Sequence, residues 1–103
     1  MFKVTLQKYV WDGYSREDSS KWALFSHSLE LPFTPVPGLG VNLPMQRSWR
    51  LRSVNWVVER QEFWCDAEDQ YMDGDDDYFE DWLERLSDLG WTLVEGPHPK
   101  NFP

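Results

Sequence analysis

Asp69, Asp73, Asp77 and Glu80 stand at positions 1, 5, 9 and 12 of the twelve-residue stretch DQYMDGDDDYFE, with Gly74 at position 6. Carboxylates gathered around a glycine turn suit a hard cation such as calcium, which takes roughly six to eight oxygen ligands. A second chemistry needs a thiol beside a base, and Cys65 with His27 is the one plausible pair. A third pattern makes a surface rather than a reaction. Asp73, Asp77, Glu80, Asp81, Glu84 and Asp88 recur at three- and four-residue intervals. On a helix they form a carboxylate row roughly 20 Å long, at about 1.5 Å rise per residue.

Each pattern has an ordinary reading beside it. DQYMDGDDDYFE resembles the EF-hand calcium loop at the acidic and glycine positions, and departs from it with Tyr71 at position 3 and Asp76 at position 8. The segment leading into it reads as strand rather than helix. No metal is therefore expected, with Asp69, Asp73, Asp77 and Glu80 the one weak candidate set. Cys65 and His27 both fall on strands whose packing already accounts for them. PGLG, residues 37–40, lacks the lysine and the following helix of a phosphate loop. No catalytic residue and no cofactor are expected, and the chain is read as a non-enzyme.

Charge points the same way. Asp66 to Asp88 holds eleven of the eighteen acids and one of the ten bases, so this stretch carries −10 and the remainder +2. A phosphate backbone or an anionic membrane is drawn to basic patches, so neither is expected to bind directly. A protein partner with a basic surface is expected instead. A rigid row of carboxylates can also imitate a nucleic-acid backbone and occupy a basic groove. Small proteins that phages use against host defences work in that way, and this chain resembles them in size, charge and aromatic content. No motif carries that resemblance, and a solvated helix face is the plainer reading.

One cysteine excludes an internal disulfide and a cysteine-rich zinc site, and fits a reducing compartment. No run approaches the 18 or so apolar residues of a membrane span, and the N-terminus has no apolar leader core. The expected location is the cytoplasm.

The elements follow from periodicity. Phe2, Val4, Leu6 and Val10 alternate with polar residues, a half-buried strand; Trp22 to Leu31 is a second, with Ala23, Phe25, His27, Leu29 and Leu31 on one face. LPFTPVPGLGVNLP, residues 31–44, has four prolines and two glycines, which exclude a helix or central strand. Its apolar residues, among them Phe33, Val36 and Leu39, either fold back on the core or offer a contact surface, and a homodimer through Phe33 is one outcome. Trp49 to Cys65 reads as a long strand or hairpin whose apolar parity flips near Ser53, the mark of a bulge. Arg47, Arg50 and Arg52 form the basic cluster, read as a solvated strand face that can pair with the acidic helix, with a separate anion site the minor alternative. Tyr78, Phe79, Trp82, Leu83, Leu86 and Leu89 make a helical stripe, starting near Asp75 or Asp76 and stopping at Gly90. Trp91 to Val94 is a short last strand.

The order β, β, β (or a hairpin), α, β predicts an α+β domain: a mostly antiparallel, twisted sheet of four to five strands with one helix packed on it. Residues 1–96 form the single domain, and 97–103 a flexible tail. The predicted function is a small acidic, non-catalytic interaction module. It works through the helix face (Asp73, Asp77, Glu80, Asp81, Glu84, Asp88) and the proline-rich loop (Phe33, Val36, Leu39). The nucleic-acid mimic is the first alternative and the degenerate calcium loop the second.

Overall fold

A computed structural model of the 103-residue chain describes residues 1–43, 48–72 and 78–99. The elements are β1 (Phe2–Trp11), β2 (Lys21–Leu31), β3 (Gly40–Val41), β4 (Trp49–Val57), β5 (Glu62–Ala67), α1 (Phe79–Asp88) and β6 (Thr92–Pro99). The fold is α+β: among the described residues there is one helix and one six-stranded sheet, in the order β3-β4-β5-β1-β2-β6.

The sheet is mixed, which corrects the expected antiparallel sheet of four to five strands. β1 and β5 run parallel, Val4 beside Phe63 and Leu6 beside Cys65. Alternation of period two fixes which face a side chain takes but is the same for both strand directions, so the parallel pair was not legible in it. The sixth strand is β3, two residues inside the proline-rich stretch, paired antiparallel with Arg50 and Trp49 of β4.

By contact the described chain gathers into two units, one of Met1–Gln7 with Ser26–Glu68, the other of Lys8–Phe25 with the chain from Asp69 onward. β1 and β2 contribute residues to both.

In the first unit β4 and β5 form the hairpin, closed by hydrogen bonds from Arg60 N–H to Val57 O and Gln61 N–H to Val58 O. Gln61 takes the left-handed conformation there, with φ 54°. The expected bulge is present. Leu51 pairs with Ala67 but Ser53 with Asp66, so Arg52 is the extra residue. The shift keeps Leu51 on the face of Ala67 and turns Ser53 outward, where its hydroxyl donates to Asp66 Oδ2 at 2.7 Å. Val4, Leu6, Leu51, Cys65 and Ala67 are buried. The second half of the proline-rich stretch folds back: Gly38 N–H donates to Leu51 O, and Leu51 N–H to Leu39 O.

In the second unit the turn after β1 is held by Asp12, whose carboxylate accepts from the Ser20 and Lys21 N–H groups and from the Ser20 hydroxyl. α1 buries Phe79 and Leu86 and begins later than its periodicity suggests. Tyr78 is extended (φ −113°, ψ 128°) and exposed, so the helix starts at Phe79 rather than near Asp75 or Asp76. At the other end Gly90 has φ +98°, Trp91 N–H donates to Leu86 O and Gly90 N–H to Ser87 O. This is the left-handed glycine stop that the sequence predicts. β6 runs to Pro99, well past Val94, so 97–99 belong to the sheet, while 100–103 lie outside the described residues. Pro97 and Pro99 are tolerable in a strand because β6 is at the sheet's edge, where a missing N–H breaks no interior ladder.

Candidate functional site

The outer face of α1 carries Glu80, Asp81, Glu84 and Asp88, all exposed. Asp81, Glu84 and Asp88 lie at i, i+3 and i+7, one stripe about 10 Å long. The row is half the expected length because the helix starts at Phe79; Asp73 and Asp77 lie outside the described residues. Glu80 is partly neutralised by Lys21, whose Nζ sits 3.4 Å from its Oε1 on the surface. The one base of the helix, Arg85, lies over the Trp82 ring at 4.9 Å. Glu80 and Asp81 in the first turn and Arg85 in the last complement the helix dipole, which offsets part of the repulsion along the stripe.

In the first unit, Phe33 and Val36 are exposed, while Leu39 is half-buried with its carbonyl bonded to Leu51. The two halves of the proline-rich stretch differ. Its second half joins the sheet, and its first half leaves Phe33 and Val36 exposed. Arg50 and Arg52 are exposed, and Arg47 lies outside the described residues.

Asp69 of the calcium pattern is already engaged. Its side chain is 6% exposed and accepts from Trp11 Nε1 (3.1 Å), Arg16 (3.3 Å) and the Tyr71 hydroxyl (3.5 Å). Glu80 faces Lys21 on the helix, and Asp73 and Asp77 lie outside the described residues. Among the described residues no group of three or more acidic, histidine or cysteine side chains could hold a metal ion.

Cys65 is fully buried, and burial, helped by the charge of Asp66, pushes its thiol up to about 11. β1 lies between β5 and β2 in the sheet, so Cys65 and His27 are two strand spacings apart, about 10 Å. Neither the protonation state nor the distance suits a nucleophile and its base. Intact-mass analysis after mild alkylation of the native protein at neutral pH should show an unmodified chain, with full labelling once it is unfolded. The same thiol gives a pH dependence. A folded pKa raised above the unfolded value of 9.0 contributes stability in full below pH 9, lost as pH rises toward about 11. Tyr71, raised by burial and then by Asp69, acts in the same direction. Urea midpoints measured from pH 8 to 11 should fall, and Cys65→Ala should flatten part of the slope.

One feature of the second unit escaped the sequence reading. Lys8 is 1% exposed, among the most buried side chains of the protein. Its Nζ donates to Gln70 Oε1 at 2.9 Å and lies 4.3 Å from the centre of the Trp91 ring. Gln70, itself buried, is held by backbone bonds to the residues flanking Val10 of β1: its N–H donates to Tyr9 O, and its carbonyl accepts from Trp11 N–H. Lys8 thus ties the strand to the segment beside it from within. The signal was available, since the alternation that turns Val4, Leu6 and Val10 inward turns residue 8 inward too.

Among the described residues no helix is long and apolar enough to cross a membrane. Comparison of the chain with protein-family models, with curated proteins and with solved structures gives no match. The class is therefore defined by the fold and its surfaces: a small acidic α+β protein with a mixed sheet and an exposed carboxylate stripe.

Proposed function

We propose that the protein is a non-catalytic interaction module that binds the basic surface of a partner protein through Asp81, Glu84 and Asp88 of α1. The observation behind this reading is the exposure of all three on one stripe while Arg85 lies over Trp82. A stripe of this kind speeds encounter and gives strong salt dependence. The apolar tip at Phe33 and Val36 supplies a second contact of slower release. The partner is a protein rather than a nucleic acid or membrane, and no cofactor is involved. The presence of a single cysteine fits a cytoplasmic setting.

Capture from a lysate of the source cell with tagged protein, washed at low and then at about 0.5 M salt, tests this. A basic protein should be retained at low salt and released at high salt. Retention of nothing, or of an acidic or salt-resistant partner alone, would count against the acidic stripe. Nucleic-acid mimicry is the special case in which the released protein itself binds DNA or RNA. The short stripe supports it less, since about 10 Å spans roughly three phosphates at about 3.4 Å per strand step.

A further inference from the structure

Strand β4 has a long outer side and a short neighbour. β3 pairs only with Trp49 and Arg50, and Gly38 and Leu39 bond Leu51. Among the described residues no strand lies outside β4 beyond that point. On its inner side Ser53–Val57 pairs with Asp66 to Glu62 in unbroken register, so the segment is regular, and no strand among the described residues pairs with its other edge. It contains no proline, glycine or lysine, the residues that usually blunt such edges. The opposite edge strand, β6, carries Pro97 and Pro99.

The side chains of this edge are apolar on one face. Val54 is half-buried; Trp56 is 46% exposed and meets Phe63 edge-on at 4.9 Å, and Phe63 meets Phe2, 40% exposed, at 5.9 Å. Charge separates this part of the chain from the rest. Ser48 to Glu62 holds three arginines and two glutamates in a protein of net −8, so copies of the chain meet here without the repulsion that their remaining surface imposes.

We propose that Ser53–Val57 pairs with the same segment of a second copy of this chain, antiparallel about a two-fold axis at Asn55. In that register Val54 of each copy faces Trp56 of the other, an aromatic–β-branched cross-strand pair made twice. Ser53 faces Val57. Arg52, the extra residue of the bulge, stands just before the paired segment and Glu59 just after it, so the antiparallel arrangement brings Arg52 of each copy toward Glu59 of the other, again twice. Arg60, the remaining base at that end, is drawn aside over the Trp64 ring at 5.3 Å. A partner of another kind would have to match this order of bases and acids; a second copy matches it by symmetry. Trp56 stands on the edge strand itself, and its exposed part comes to about 90 Å² at roughly 150–250 Å² per aromatic side chain. That is under half the apolar share of a standard interface of about 800 Å² per partner, so the dimer belongs to the weak, reversible class.

Sedimentation velocity of the full chain from about 5 to 500 µM tests it, a range suited to an interface at the small end of the scale. The expected result is a monomer–dimer equilibrium with its midpoint inside that range. Trp56→Lys should move the midpoint at least about tenfold upward. Arg52→Glu, which sets two acids together, should do the same, and the exchange Arg52→Glu with Glu59→Arg should restore the original midpoint. Because Arg52 and Glu59 are exposed, the charge exchange stands even where Trp56→Lys impairs folding. A monomer at every concentration would overturn the proposal, as would a dimer whose midpoint is indifferent to Arg52→Glu.

Discussion

Replacing Lys8 by alanine should lower the stability of the protein by about 3–5 kcal/mol. Two losses add. The buried alkyl stem of a long side chain leaves a cavity of the kind that costs about 2–5 kcal/mol when Leu or Met becomes Ala. The buried Gln70 carbonyl also loses the Nζ donor at 2.9 Å, which costs roughly 1–3 kcal/mol where no replacement partner is available. Lys8→Met separates the two, since it keeps the stem and removes the charge; its loss should be about 1–3 kcal/mol. Urea midpoints for both variants check the ordering. A cost under about 1 kcal/mol for Lys8→Ala would contradict this, because the lysine would then contribute neither volume nor hydrogen bond. A domain of this size has only about 5–15 kcal/mol in total, so the alanine variant should sit near its limit at room temperature.

Gly96→Ala should be of similar weight for a different reason. Gly96 has φ +97°, and a Cβ there would lie 2.8 Å from Trp22 O and 3.1 Å from Ala23 Cα, both backbone atoms of β2. A side chain in that conformation costs about 1–3 kcal/mol by itself. The contact then forces β6 away from β2, weakening pairing at the sheet's edge. A combined loss of about 3 kcal/mol corresponds to a drop in Tm of roughly 12–24 °C for a domain of this length. Gly38→Ala is the control: its φ is +90°, but nothing lies within 4 Å of the added Cβ. It should show only the conformational cost, about 1–3 kcal/mol, and equal Tm values for the two variants would contradict the steric part of the argument.

The sequence was most legible where a residue type has a single physical use. Gly90 ends α1 because the left-handed turn after a helix favours glycine, and the parity flip between Leu51 and Val54 announced the bulge because only an extra residue can reconcile the two faces. It was least legible where the outcome depends on partners far along the chain. The parallel pairing of Val4 with Phe63 leaves no trace in either strand's own alternation. Pro97 and Pro99 read as tail because proline is excluded from most strands, and only the sheet order shows that theirs is an edge. Tyr78 fits the helical stripe by spacing, yet stands extended before it.

Of the site, the exposure of Glu80, Asp81, Glu84 and Asp88 was legible from the stripe of Phe79 and Leu86 opposite them. The length of the row was not, since it depends on where the helix starts. Lys8 was hidden by its type, because a lysine on an inward-facing position is normally read as an exception to alternation rather than part of it.

The most direct test of the central claim compares the native chain with the triple variant Asp81→Asn, Glu84→Gln, Asp88→Asn in calorimetric titrations of the captured basic partner, at several salt concentrations. For the native chain, affinity should fall steeply as salt rises. The triple variant should bind at least about tenfold more weakly at low salt, with a flatter salt dependence and an unchanged urea midpoint. Equal affinity and equal salt slope for the two proteins would contradict the account, and would place any binding the chain performs on a surface other than the carboxylate stripe of α1.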